Sequence, residues 1–288
     1  MTTKARQSML KANDGVELFL SQSNVDNPRA VFVIVHGLCE HSGRYDYVAS
    51  RLNDWGYSVY LFDNRGHGRS KGKPVFVEDF QNFIDDAETV VGSAKQENPG
   101  IPLFMLGHSM GGFISASYGV KYPGRLSGQV LSAPPVIVLP ALKGLESFDY
   151  NATPLAPIPN SLADLISRDP KVVKAYTDDP LVPKEFTTKL MGEVFIRGGK
   201  WIMENMGAYR YPCLILHGGS DQIVPPDASR YFYDHIASTD KQIKIYDGLY
   251  HEVFNEPERD VVLGDVKSWV EARVDGRKFD RQEPLLSR

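Results

Sequence analysis

The run Leu103-Phe104-Met105-Leu106-Gly107-His108-Ser109-Met110-Gly111-Gly112 constrains the fold more than any other stretch. It opens on four apolar residues, turns through Gly-x-Ser-x-Gly, and continues into Phe113-Ile114-Ser115-Ala116-Ser117-Tyr118. That order predicts a buried strand, a sharp turn with a serine at its apex, and a helix whose first N–H groups lie near the hydroxyl. Glycine is needed two positions before and after the serine, because side chains there would collide with the neighbouring strand and helix.

The remaining chain supplies the sheet such a turn requires. Ala30–Val35, Ser58–Phe62, Gly128–Ser132, Cys213–Gly218 and Gln242–Tyr246 read as strands. Ala30–Val35 has no polar face, the pattern of a strand covered on both sides. Gly15–Leu20 reads as an edge strand after a turn at Asn13-Asp14-Gly15. Helical patterns over Tyr47–Asn53, Val77–Glu97, Ala228–Ile236 and Glu258–Val274 alternate with the strands. The expected fold class is therefore α/β: a mostly parallel, doubly wound sheet.

That rhythm breaks at Ala133-Pro134-Pro135. Nine of the 19 prolines fall between Pro134 and Pro183, with apolar clusters between them. Helical stretches are expected at Ser161–Ile166, Lys171–Tyr176 and Phe186–Met206. Residues 136–208 are too apolar for a linker and read as a mostly helical insertion, a lid over an apolar site. The expected division is 1–135 and 209–288 for the core and 136–208 for the insertion. The charged end, Asp275–Arg288, is expected to be mobile.

A serine hydroxyl needs a base, and the base needs an acid that fixes its tautomer. On a sheet of this kind the three come in the order serine, acid, histidine, each after a strand. Of the seven histidines, only His251 lies in a loop after the last strand. Asp221, following the apolar strand Cys213–Gly218, is the preferred acid. Asp247 is its rival, although Asp247-Gly248 reads as a turn. Two N–H groups must hold the oxyanion, and the positions are Met110, after the serine, and Leu38, in the loop after Ala30–Val35.

Three blocks then carry a family resemblance: His36-Gly37-Leu38-Cys39-Glu40-His41-Ser42-Gly43-Arg44-Tyr45, Arg65-Gly66-His67-Gly68-Arg69-Ser70 and Gly107–Gly112. They resemble the signature blocks of the monoacylglycerol lipases. Gly218-Gly219-Ser220-Asp221 and Tyr250-His251-Glu252-Val253-Phe254 are similar to the bacterial members. The likeness runs from Asn13 to Val274 and thins across Val136–Leu165. It implies the α/β-hydrolase fold with a helical cap, hydrolysis of monoacylglycerol, and a triad at Ser109, Asp221 and His251. It also implies a glycerol pocket using Glu40, Arg44, His108 and Tyr176, although Glu40 with Arg44 equally suits a local ion pair. Cap residues would hold the acyl chain and touch a membrane or micelle surface. Cys39 stands where the family often has glycine, which stiffens the loop and brings a thiol near the site.

Other function classes are excluded or set aside. A formal charge of −4 gives no basic footprint for nucleic acid. No cysteine–histidine cluster has metal-ligand spacing, and Gly66-His67-Gly68 lacks the spacing of a dinucleotide loop. No metal or organic cofactor is expected. Cys39 and Cys213 cannot build a disulfide framework. Met1–Ser8 lacks the apolar core of a signal peptide, so the sequon Asn151-Ala152-Thr153 is expected to go unused and the protein to be cytoplasmic, peripheral at membranes. A lysophospholipase or broad carboxylesterase would use the same triad. A non-catalytic ligand-binding protein would more usually have lost one of its members.

Overall fold

The computed structural model describes residues 5–145 and 147–280, with side chains through Val274. In chain order the core opens with β1 (Arg6–Lys11), β2 (Glu17–Ser23), β3 (Ala30–Val35), α1 (Asp46–Asp54), β4 (Tyr57–Phe62) and α2 (Gln81–Glu97). It continues with β5 (Leu103–His108), α3 (Met110–Lys121) and β6 (Gly128–Ser132). The segment between β6 and the next core strand carries β7 (Pro157–Pro159), α4 (Ala163–Ile166), α5 (Pro170–Asp178), β8 (Glu185–Thr187), α6 (Thr188–Met191) and α7 (Gly199–Asn205). The core then resumes with β9 (Cys213–Gly218), α8 (Pro226–His235), β10 (Lys241–Tyr246) and α9 (Arg259–Asp280).

Eight strands form one sheet in the order β1-β2-β4-β3-β5-β6-β9-β10. The β1–β2 and β2–β4 pairs are antiparallel, and every other pair is parallel. Every residue of β3, β4, β5, β6 and β9 is buried, as strands covered on both faces must be. One face packs α2, α3 and α8 through residues such as Phe83, Val90, Phe113 and Phe232. The other packs α1 and α9 through Val48, Leu52, Val262, Val266 and Trp269. Burying each such side chain contributes about 1.5–3 kcal/mol relative to exposure.

The chain crosses from β3 outward to β4, then back past β3 to β5. Neighbouring strands β3 and β5 therefore send their following loops in opposite directions, and a crevice opens at their carboxyl ends. The loop after β3 is His36–Tyr45, and the turn after β5 is Ser109.

Several elements differ from the pattern read in the sequence. The edge strand is β1, so β2, expected at the edge, lies inside. No residue of β1 is buried, so it leaves no apolar periodicity; its register with β2 is held by backbone pairing. The helix expected from Val77 begins at Gln81, because Asp79 Oδ1 accepts the Gln81 N–H at 2.9 Å and starts the helix there. The helix expected from Phe186 begins at Thr188: Glu185–Thr187 pairs with Pro157–Pro159 instead, and Thr187 caps the Leu190 N–H. Gly192–Gly198 continues it with wider π-type turns before α7. The last helix runs to Asp280, through six residues expected to be mobile. The rest of that stretch, 281–288, lies outside the described residues. Among the described residues no helix is long and apolar enough to cross a membrane.

The seat of α3 against the sheet depends on Gly111. A Cβ there would fall 2.1 Å from Val35 O and 2.6 Å from His36 O. Both are backbone atoms of the central strand and its loop, so neither can yield cheaply. Gly111→Ala is expected to lower unfolding free energy by about 1–3 kcal/mol, read from urea midpoints. A midpoint equal to the parent's would contradict this packing.

Candidate active site

The candidate nucleophile, Ser109, sits in a strained backbone conformation. Ser109 has φ 52° and ψ −122°, a conformation that costs an L-residue about 1–3 kcal/mol. It is held by its N–H donating to Ser132 O at 2.8 Å and its carbonyl accepting the Phe113 N–H at 3.0 Å. Its own hydroxyl does not cap α3, so that hydroxyl is not consumed by the helix. Gly107 is required on the approach, because a Cβ there would lie 2.2 Å from Gly111 O.

Across from it, His251 donates Nδ1–H to Asp221 Oδ2 at 2.7 Å. Both residues are buried, at 4% and 7% exposure, so the pair is little screened by water. Burial alone would lower the His251 pKa, but the Asp221 carboxylate, helped by Glu252 and Glu40, overcomes this and raises it. Asp221 is held well below the usual carboxylate range: burial opposes this, and His251 and His217 outweigh it. Its rival Asp247 sits in an exposed turn. Among the described residues no hydrogen bond joins Ser109 Oγ to His251; in unliganded sites such bonds are often long and tighten with substrate.

The loop after β3 closes the other side. A Cβ on Gly37 would lie 3.2 Å from Ser109 Cβ, which measures how closely this loop passes the serine. Glu40 Oε1 accepts the Gly37 N–H at 2.5 Å and the Tyr45 hydroxyl at 2.8 Å. Leu38 is the next N–H along the loop, and Met110 supplies the first N–H of α3. Cys39 has φ 52°, the left-handed region that favours glycine. Its thiol is fully buried, and burial pushes its pKa up to about 12, so it carries almost no thiolate at neutral pH.

Arg44 ties this loop to the histidine loop. Its Nη1 donates to Glu40 Oε2 at 2.7 Å and to Glu252 Oε1 at 2.6 Å, and its Nη2 donates to Glu252 Oε2 at 2.7 Å. Burial would raise the Glu252 pKa, but Arg44 brings it down to about 2. The guanidinium also lies 4.8 Å from the centre of the Tyr176 ring. Tyr176 in turn accepts a hydrogen bond from Asn160 Nδ2 at 2.7 Å. His108 packs its ring 4.7 Å from that of His251 and hydrogen-bonds Ser132 Oγ at 2.9 Å through Nδ1. Burial lowers its pKa to about 4, so it is neutral at pH 7.

Gly37, Leu38, Glu40, His108, Ser109, His251 and Glu252 from the core, and Leu162, Ile166 and Tyr176 from the 136–208 segment, line one cavity of about 20 Å³. Of the residues singled out in the sequence for the headgroup, Glu40, His108 and Tyr176 reach this wall, while Arg44 stands behind Glu40 as its ion-pair partner. Glu252 was not singled out, although it adjoins His251; an acid beside the base, with an arginine in the facing loop, was the available signal. Leu162 and Ile166 had no signal beyond being apolar.

Comparison with known proteins places this geometry. A family model described as serine aminopeptidase, S33, matches residues 26–258. A monoacylglycerol lipase of Mycolicibacterium smegmatis is 44% identical over 248 residues, covering 85% of this chain and 89% of that one. The chain belongs to the monoacylglycerol lipase family. A monoglyceride lipase of Homo sapiens is 32% identical over 258 residues, covering 86% of this chain and 84% of that one. Among solved structures, a soluble variant of the Saccharomyces cerevisiae monoglyceride lipase with a substrate analog superposes with a TM-score of 0.82. It is 25% identical, covering 95% of this chain and 96% of that one. The fold is thus that of the α/β-hydrolases, mostly parallel and wound on both faces as the sequence implied.

Proposed function

We propose that this protein is a serine ester hydrolase that cleaves monoacylglycerol to fatty acid and glycerol. The observation that carries the reading is the buried Asp221–His251 hydrogen bond sharing one cavity wall with the strained Ser109. Ser109 Oγ attacks the ester carbonyl carbon while its proton passes to His251 Nε2. Leu38 and Met110 N–H groups receive the oxyanion, each such donor supplying about 3 kcal/mol where one has been removed elsewhere. Collapse expels glycerol, which takes the proton from His251. Water, activated by the same histidine, then attacks the acyl-Ser109 ester and frees the fatty acid.

The headgroup end supports a neutral diol over a phosphate. Two carboxylates, Glu40 and Glu252, face one guanidinium, Arg44, leaving the wall net negative. A lysophospholipid's phosphate would meet that charge unpaired.

Residues 136–208 act in this reading as a lid. A cavity of about 20 Å³ holds roughly one water and no acyl chain, so in this reading Leu162, Ile166 and Tyr176 move aside to admit substrate. The same segment exposes Leu145, Phe148, Leu155 and Met203 at 41%, 45%, 60% and 38%. Apolar side chains so exposed on the moving part suit contact with a membrane or micelle surface.

The substrate claim is tested by fatty-acid release from a monoacylglycerol, a triacylglycerol and a lysophospholipid of one chain length, with an aminoacyl arylamide beside them. Strong preference for the monoacylglycerol, lost at least 1,000-fold in Ser109→Ala by order of magnitude, is expected. Equal rates on all esters, or a preference for the lysophospholipid or the arylamide, would overturn the narrow substrate. For the lid surface, Phe148→Ser with Leu155→Ser is expected to slow hydrolysis on vesicles several-fold and spare a dispersed short-chain ester. Equal loss on both would contradict interfacial contact.

A further inference from the structure

His217 lies at the end of β9, wholly buried, and plays no part in the steps above. Its Nε2 stands 3.1 Å from Asp221 Oδ2 and 2.9 Å from Val224 O. A carboxylate and a carbonyl oxygen only accept, so this nitrogen carries the proton and donates to them. Nδ1, on the other side of the ring, hydrogen-bonds the hydroxyl of Ser229, on α8, at 2.7 Å. The Asp221 carboxylate is thereby fully occupied. Oδ1 accepts the N–H groups of Ile223 at 2.8 Å and Val224 at 3.0 Å, and Oδ2 accepts both histidines.

We propose that His217 is a positioning residue for the acid–base pair: with Ser229 behind it, it locks the Asp221 carboxylate and shares Oδ2 with His251. This rests on reading Ser109, Asp221 and His251 as the triad. Two consequences follow from the shared oxygen. The carboxylate cannot rotate about its Cβ–Cγ bond without breaking four hydrogen bonds, so the oxygen that orients His251 stays in place. The donation from His217 also draws charge away from Oδ2, which moderates how strongly Asp221 favours the protonated form of His251. The charged and titratable groups facing His251 are Asp221, Glu252, Glu40 and His108, with Arg44 between the two glutamates. Those facing Asp221 are the two histidines. Only the His217 contact is altered by changing His217.

The test is the pH dependence of monoacylglycerol hydrolysis in His217→Leu, His217→Gln and Ser229→Ala. In His217→Leu the full charge of Oδ2 falls on His251, and the base is neutral only at higher pH. The acid limb of kcat/KM is expected to move up by roughly half to one pH unit, with kcat about tenfold lower and KM unchanged. Glutamine places an amide N–H near the position of Nε2, so His217→Gln is expected to return the limb to the parent's. Ser229→Ala loosens the ring and moves the limb in the same direction by less. If His217→Leu does not fold, Ser229→Ala reads the same limb. An unmoved limb in whichever of these two folds, or a glutamine variant as displaced as the leucine one, would overturn the proposal and leave His217 as packing alone. Failure of the triad is separable: it shows as parental activity in Ser109→Ala, whatever His217 does.

Discussion

The contact between α3 and the central strands sets the position of everything else in the site. Gly111 lets the first turn of α3 approach the carbonyls of Val35 and His36 more closely than any side chain allows. Gly107 lets β5 end against the carbonyl of Gly111. With both ends of the turn fixed, Ser109 has no relaxed conformation available and is held at φ 52°. The strain of about 1–3 kcal/mol is offset by the packing of two apolar layers on the sheet. In return the hydroxyl stands in the crevice at the carboxyl ends of β3 and β5, beside the first N–H of a helix.

A second constraint joins the loops that this crevice gathers. Arg44, from the loop after β3, holds Glu40, which itself accepts the Gly37 N–H, and grips Glu252, the residue next to His251, with both of its terminal nitrogens. The 136–208 segment is tied to the same knot, through Tyr176 over Arg44, the Glu252 N–H donating to Ile166 O at 2.8 Å, and His41 Nε2 at 2.9 Å from Asp179 Oδ2. These contacts come from three loops far apart in sequence. The segment that covers Ser109 is therefore tied directly to the loops that carry Leu38 and His251.

Much of this was legible in the chain. Ala30–Val35 announces itself as a continuous apolar run and the other buried strands as mostly apolar ones, and Gly-x-Ser-x-Gly after β5 fixes where the serine stands. The strand order of chemistry, serine then acid then histidine, singled out Asp221 and His251 because only one histidine follows the last strand. What escaped was structure that leaves no apolar period. The first strand is stabilised by backbone pairing with none of its residues buried, and the β7–β8 pair is three residues long with proline at both ends of β7. Glu252 and His217 were visible as residues but not as partners, because Arg44 and Asp221 reach them only after the chain has folded.

The central claim is that Ser109 becomes acylated by monoacylglycerol. Rapid acid quench during turnover, followed by peptide mapping with mass spectrometry, tests it most directly. An acyl group of the substrate's length is expected on the Ser109 peptide, decaying as water is admitted. Turnover of monoacylglycerol with no acyl group on Ser109, or with the acyl group on another side chain, would contradict it.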